Sequence, residues 1–269
     1  MIINFLTHLF DSGIGYSGIN TARSALSNFI GICSDNTLEF SNNPLISKFM
    51  RGVFNKRPSL PKYASIWDPD IVLQYFVSLG EELTLLQLSQ KVCILLAILT
   101  GQRGQFIHLL NVEDIQILHD KLYITIPRLL KQSRPGYHQE NIVLSEYPSD
   151  RKLCVVSAIT QYLTRTKALR GAETQLLIST QSPFKAIARA TVSSWIKSVM
   201  LKAGIDTKLF TPHSTRAAAT SAARTKAMPI ETIMKAAGWS QTSTFQKFYS
   251  RPIQSASVIQ QGVLQTCSD

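Results

Sequence analysis

The stretch from Thr211 to Pro252 reads TPHSTRAAAT SAARTKAMPI ETIMKAAGWS QTSTFQKFYS RP, and the order of its polar residues decides the fold. His213 and Arg216 stand three apart, so on a helix they share a face and reach one anion together, a ring donor beside a fixed fork. The fork suits phosphate: guanidinium offers parallel donors to two oxygens and keeps its charge at any working pH. Further along come Gly238-Trp239-Ser240 and then Tyr249. Upstream, Arg103 in Thr100-Gly101-Gln102-Arg103-Gly104-Gln105 follows an apolar segment running from about Leu85 to Leu99. Two separated arginines grip a phosphate from two sides, and positioning with charge neutralisation is most of what a phosphoryl transfer asks of a protein. Tyr249 is then the candidate nucleophile and Lys131 the candidate proton donor.

Each of these residues also has a plainer explanation. An arginine after a helix commonly caps it, a lone histidine such as His213 is commonly structural, and Trp239 after Gly238 suits a core anchor whose indole N–H finds a buried acceptor. Tyr249 with Phe245 and Phe248 makes an aromatic helix face, and a lysine at a hairpin end is commonly a solvated charge. The hairpin reads from its residues: Leu122-Tyr123-Ile124-Thr125-Ile126 and Asn141-Ile142-Val143-Leu144 are strand-forming, with Ser133-Arg134-Pro135-Gly136 between them as turn material. Lys131 falls near its tip. Co-occurrence of all these groups in one order and spacing outweighs the plainer explanations.

The chain resembles the tyrosine recombinases, also called the phage integrase family, and its wording is closest to the eukaryotic branch carried by DIRS-type retrotransposons. Thr100-Gly101-Gln102-Arg103 resembles the first arginine box, and His213-Ser214-Thr215-Arg216 the second. Gly238-Trp239-Ser240 with Ser243-Thr244 and Tyr249 resembles the closing box, and Lys131 falls where the family places its hairpin lysine. The resemblance implies cutting and rejoining of double-stranded DNA with no metal and no cofactor. Tyr249 attacks a backbone phosphate to give a 3′-phosphotyrosine and a free 5′ hydroxyl. Arg103, His213, Arg216 and Trp239 hold the phosphate, and Lys131 protonates the departing oxygen. A homo-oligomer on DNA, dimer or tetramer, is implied as well. A phenol is mostly protonated at neutral pH, so attack needs a base or a strongly cationic site, and His213 is the nearest candidate. Three departures stand out. Gly104, Gln105 and Phe106 occupy the places where the family commonly has an acidic residue after its first arginine. Ala217 replaces a common histidine, and Trp239 to Tyr249 spans ten positions, one more than usual.

With 269 residues, 45% of them hydrophobic, the chain buries a sizeable core in one large or two smaller domains. A formal charge of +11 points to a polyanionic partner, although charge by itself does not separate DNA from RNA or an acidic membrane. The basic residues are dispersed, Arg165, Lys167, Arg170, Arg189 and Lys197 among them, which suits a folded surface along a duplex rather than a tail. Cys33, Cys93, Cys154 and Cys267 show neither CxxC nor paired-histidine spacing, arguing against structural zinc or a disulfide framework and for a reducing compartment. The start lacks a basic n-region and soon meets Asp11, unlike a signal peptide, and Val92 to Leu99 is too short to cross a bilayer. The expectation is a protein that is not secreted and has no membrane partner, nuclear if eukaryotic as the resemblance suggests and otherwise cytoplasmic.

Residues 1–57 read as short helices: Asn4 to Phe10, Gly18 to Phe29 with Ser17 as N-cap, and Asn43 to Phe54. Arg51, Lys56, Arg57, Pro58 and Pro61 mark a basic, proline-rich boundary. Tyr16-Ser17 through Ala22-Arg23-Ser24-Ala25-Leu26 resembles the helical, SAM-like core-binding domain of recombinases, here shorter than usual and read as truncated. Ser17, Asn20 and Arg23 are the candidates for DNA contact there, surface capping being an equal alternative. Residues 58–269 form the catalytic domain, with helices at Val155 to Leu169, Ala190 to Ala203, Ser214 to Lys226, Pro229 to Ala237 and Ser243 to Ser250, and a stop at Pro252. Val258, Ile259, Val263 and Leu264 give the tail apolar positions; the resemblance implies packing on a neighbouring protomer, and folding back or disorder are equal alternatives. The expected fold class is α+β: a mainly helical tyrosine-recombinase catalytic domain with a small antiparallel sheet, preceded by a short all-α core-binding domain. The expected function is site-specific recombination for mobile-element integration. A type IB topoisomerase, which reseals the same strand, and a domesticated DNA-binding protein that no longer cuts are the alternatives. The complete Arg-Lys-His-Arg-Trp-Tyr set speaks for chemistry, and the short N-terminal domain for the non-cutting alternative.

Overall fold

The computed structural model describes residues 2–33, 43–125, 128–129, 133 and 141–254, the side chains of 31–33 excepted. Lys131, most of the expected turn around it, and the tail from 255 onward lie outside the described residues. The chain divides into two units, Met1–Lys62 and Tyr63–Asp269.

Among the described residues, the first unit has three helices, α1 (Ile2–Asp11), α2 (Tyr16–Cys33) and α3 (Pro44–Lys56). Proline at the first turn of α3 costs no hydrogen bond, and the Asn43 side chain accepts from the Leu45 and Ile46 N–H groups, so the start is fixed locally. Ile46, Met50 and Val53, spaced by four and three, then face inward and close a small core with Leu6 and Ile19. Arg57 lies with its guanidinium 3.9 Å from the centre of the Phe10 ring and donates to the Phe10 carbonyl, closing the unit's end on α1. Ser17 is not the N-cap of α2. The helix starts earlier, at Tyr16, because the Gly15 carbonyl accepts from Ile19 N–H and takes the first helical bond.

The second unit is built around α5 (Leu85–Thr100), which follows α4 (Pro69–Ser78). Thr84 and Gln87 close a reciprocal capping box at the start of α5, and every residue from Leu88 to Ala97 is buried. A helix apolar nearly all round belongs at a centre, and α5 packs against α7 (Val155–Thr166), α8 (Arg189–Lys202) and α9 (Ser214–Thr225). Three short strands, β1 (Ile115–Leu118), β2 (Lys121–Ile124) and β3 (Ile142–Ser145), form one antiparallel sheet in that order. Leu122, Ile124 and Ile142 turn their side chains into the core. The pairing of β2 with β3 agrees with the expected hairpin, and β1 is an addition: Ile115 pairs with Ile124 and Leu118 with Lys121. The mainly helical architecture with its small antiparallel sheet agrees with the expected α+β fold class.

Beyond α9 come α10 (Ile230–Ala237) and α11 (Thr242–Phe248), packed through Ile233, Ala237, Trp239 and Phe245. Pro229 precedes α10 as its cap, and α11 ends before Tyr249 instead of running to Ser250. Pro252 disfavours helical backbone in the residue before it, and the Tyr249 carbonyl is taken by a side chain of α9. After the turn, Ile253 pairs in parallel with Ile66.

The end of α5 sets the site. Gly101 caps it in the left-handed region, φ 60 and ψ 15, and a Cβ there meets Thr220 Cγ2 at 3.2 Å and Ala237 Cβ at 3.6 Å. Left-handed strain therefore disfavours a side chain, and Thr220 has to give way slightly to admit one. Gly101→Ala is expected to destabilise the protein by about 1–2 kcal/mol. A shift of the urea midpoint at constant slope checks it; an unchanged midpoint contradicts it.

Candidate active site

α9 delivers two of the candidate groups. Trp67, fully buried, donates its indole N–H to Ser214 Oγ at 2.8 Å, and Tyr63 OH accepts from Thr211 N–H, so the start of α9 is pinned from the beginning of the unit. His213 sits at the N-cap, and Arg216 points into the interior with 1% exposure. One edge of its guanidinium is anchored: Nη1 donates to the Gly101 carbonyl at 2.6 Å. The opposite edge, Nε and Nη2, is buried with no hydrogen-bond partner among the described residues. That edge has the side-on geometry that takes two oxygens of an oxyanion.

Arg216 stacks on Trp239, with Cζ 3.9 Å from the indole centre, and Trp239 packs on Tyr249 with ring centres 4.6 Å apart. The indole N–H of Trp239 is likewise buried without a partner. Burial drives the Arg216 pKa down to about 9, the charge of Arg103 adds to that, and the Tyr249 phenol, outside hydrogen-bond geometry with Nε and Nη2, offsets it only in part. The group stays cationic at neutral pH, and an orphaned buried cation of this kind carries an energetic cost until an anion meets it.

Tyr249 stands at the C-cap of α11 with φ −121 and ψ −28. Its phenol oxygen lies 3.3 Å from His213 Nε2, so the ten-residue spacing from Trp239 still brings the hydroxyl to the histidine. Arg103 is the N-cap residue of α6 (Gly104–Leu109), immediately after the Gly101 turn, and faces the same cleft. This cleft, about 620 Å³, is lined by Arg103, Arg189, His213, Arg216 and Tyr249 together with small and polar side chains. No carboxylate belongs to the described lining, so the field is of one sign and suits an anion.

The structure therefore brings together Arg103, His213, Arg216 and Tyr249 in one cleft, with Trp239 packed against Arg216 and Tyr249 rather than among the residues that line it. Lys131 belongs to the connection between β2 and β3 and lies outside the described residues. Asn20 and Arg23 are linked, Arg23 Nε donating to Asn20 Oδ1 at 3.1 Å, and both line a separate cleft of the first unit with Ser47 and Arg51. Ser17 is exposed and outside that lining. Arg189 and Ser193, one turn apart on α8, were not singled out from the sequence, where Arg189 is one dispersed cation among many. Gln102 was missed too: it is 2% exposed, its amide reaches the Ala236 carbonyl at 2.7 Å, and its Oε1 has no partner. Among the described residues no group of three or more His, Cys, Asp or Glu is placed to hold a metal, and no helix is long and apolar enough to cross a membrane.

Residues 77–254 match the phage integrase family. The chain belongs to that family. No curated protein matches by sequence. Among solved structures it is similar to the XerH site-specific recombinase bound to difH substrate in a pre-cleavage complex, at 14% identity and a TM-score of 0.53, over 70% of this chain and 49% of that one. It is similar to XerA recombinase at 15% identity and a TM-score of 0.51, over 98% and 90%. It is similar also to the Tn1549 transposon integrase in complex with transposon right end DNA, at 12% identity and a TM-score of 0.62, over 98% and 83%. At these identities the likeness is one of fold. The chain spans about half the length of the XerH chain.

Two outcomes follow for this phage integrase family member. Sulfate or phosphate is expected to raise the melting temperature of the wild type by binding the open edge of Arg216, and to do so far less in Arg216→Met. Equal shifts in both contradict a site there. Because the folded pKa of Arg216 is lowered, the cost of its charge is fully present below about pH 9 and is relieved as pH rises through that value. Arg216→Met without anion is thus expected to be at least as stable as wild type at pH 7, with the difference moving in favour of wild type above pH 9, as read from denaturation at a series of pH values.

Proposed function

We propose that this chain is a DNA strand-transferase of the tyrosine recombinase type, acting on double-stranded DNA in the integration of a mobile element, and that it belongs with the DIRS-type branch whose motifs its sequence resembles. The observation that carries the reading is the phenol of Tyr249 at hydrogen-bond range of His213 Nε2, beside a buried guanidinium whose open edge has no partner. Nucleophile, base and oxyanion holder thus converge from one chain, which supports attack by Tyr249 in its own site.

In the proposed step the backbone phosphate lies against the open edge of Arg216, with Arg103 opposite. The Tyr249 oxygen forms a bond to phosphorus as its proton passes to His213 Nε2. The bond from phosphorus to the 5′ oxygen breaks, and Lys131 supplies the proton that this oxygen takes. The product is a 3′-phosphotyrosine and a 5′ hydroxyl, and attack by a second strand's 5′ hydroxyl reverses the step onto a new partner. Neither metal nor cofactor enters. Trp239 supports Arg216 by stacking and has its indole N–H open toward an acceptor. Residues 1–57 act as a core-binding domain that grips the duplex, with Asn20 and Arg23, and Ser17 more peripherally, at the DNA, and the protein works as a dimer or tetramer there. The dispersed net charge of +11 supports a long polyanion as partner.

The test is a pool of duplexes carrying a nick close to each candidate cleavage point, incubated in EDTA and run on a denaturing gel. A covalent adduct is expected with wild type and absent with Tyr249→Phe, and Arg216→Met or Arg103→Met is expected to slow it by about 10²–10³-fold. Salt-dependent DNA binding without any adduct sinks the catalytic reading and favours a non-cutting DNA-binding protein. Adducts that only relax supercoils, with no exchange between two duplexes, favour the topoisomerase alternative.

A further inference from the structure

Ser221 stands outside the Arg-Lys-His-Arg-Trp-Tyr set, yet it holds the tyrosine's backbone. It lies on α9 five residues after Arg216, at 2% exposure. Its hydroxyl donates to the Tyr249 carbonyl at 2.8 Å and accepts from the Arg251 N–H at 3.0 Å. One buried side chain thus satisfies the polar groups on both sides of Ser250, at the point where α11 ends and its last carbonyls lose their helical partners. Arg224, three residues further along α9, donates to Ser250 Oγ, a second stitch between the same helix and the same turn.

We propose that Ser221 is a positioning residue for Tyr249: it ties the carbonyl of the nucleophile, and the Arg251 N–H two residues on, to the helix that opens after His213 and carries Arg216. The proposal rests on the reading of Tyr249 as nucleophile. Its physical basis is that the phenol oxygen's hydrogen-bond contact to His213 is long, at 3.3 Å, and that packing on Trp239 constrains the ring without fixing how far along the cleft the oxygen reaches. The distance from the phenol to a phosphate held on Arg216 is then set by the turn that bears Tyr249. That turn is referenced to α9 through the Ser221 hydroxyl. Removing the hydroxyl leaves a carbonyl and an N–H unpaired, so the turn moves to find other partners, and a misplacement of about 1 Å costs on the order of 10²-fold in rate.

The experiment is single-turnover adduct formation by wild type, Ser221→Ala and Ser221→Thr, alongside DNA affinity and melting temperature. Each enzyme is given an ordinary nicked duplex and one in which the 5′ oxygen is replaced by sulfur, whose thiolate leaves without needing a proton. Ser221→Ala is expected to slow the reaction about 10–100-fold on both duplexes with DNA affinity unchanged, and Ser221→Thr, which keeps the hydroxyl, to restore most of the rate. Three results overturn the proposal: Ser221→Ala as fast as wild type, a defect cured by the sulfur leaving group, or Ser221→Thr as slow as Ser221→Ala. Should Ser221→Ala not fold, Ser221→Cys, of similar shape with weaker donor and acceptor, replaces it with the same outcomes. Absence of any adduct with wild type on either duplex is a failure of the functional reading instead, and is told apart by that control.

Discussion

A guanidinium buried to 1% exposure, anchored by one edge and open at the other, is the constraint on which the second unit depends. Taking such a charge from water costs several kcal/mol on the order of magnitude found for buried ions, and the fold returns only a carbonyl bond and a stacked indole. The surroundings lower the cost without removing it. Gly101 turns its carbonyl toward Arg216 because it ends α5 in the left-handed region, a conformation that side-chain-bearing residues adopt only with strain. The remaining cost is what makes the site receptive, since an oxyanion on the open edge supplies the partner that the protein withholds.

α9 acts as a common reference for everything around that charge. Its start is pinned by Trp67 and carries His213 and Arg216, while its middle holds the turn of Tyr249 through Ser221 and Arg224. Two glycine caps deliver the rest: Gly101 at the end of α5 precedes Arg103, and Gly238, φ 67, at the end of α10 precedes Trp239. Arg103, His213, Arg216, Trp239 and Tyr249 therefore each leave a rigid element within a residue or two of its end, an arrangement that keeps long side chains near one geometry.

The motif-bearing segments were legible from the sequence because their chemistry is local: an apolar segment from about Leu85 to Leu99 before Arg103, a helix opening at Ser214, a stop at Pro252. The antiparallel pairing of β2 with β3 was readable from strand-forming residues, whereas β1 was not, because Ile115 to Leu118 is only four residues long and is identified by its partner. The Ser17 cap failed for a similar reason: Gly15, one residue before Tyr16, takes the first helical bond through its backbone, which no side-chain preference announces. What joins distant parts of the chain was hidden altogether. Ser221 is one more small residue in an alanine-rich helix until Tyr249 is seen against it, and Arg189 is a surface cation until α8 lines the cleft.

The most direct measurement is mass spectrometry of the peptides released from a denatured reaction with a cleavable duplex, to find which side chain carries nucleotide. A nucleotide joined through its 3′ phosphate to Tyr249, formed far more slowly when Arg216 is replaced by Met, is the expected result. Nucleotide on another residue, or a Tyr249 adduct that forms equally well without Arg216, contradicts a site organised around that buried charge.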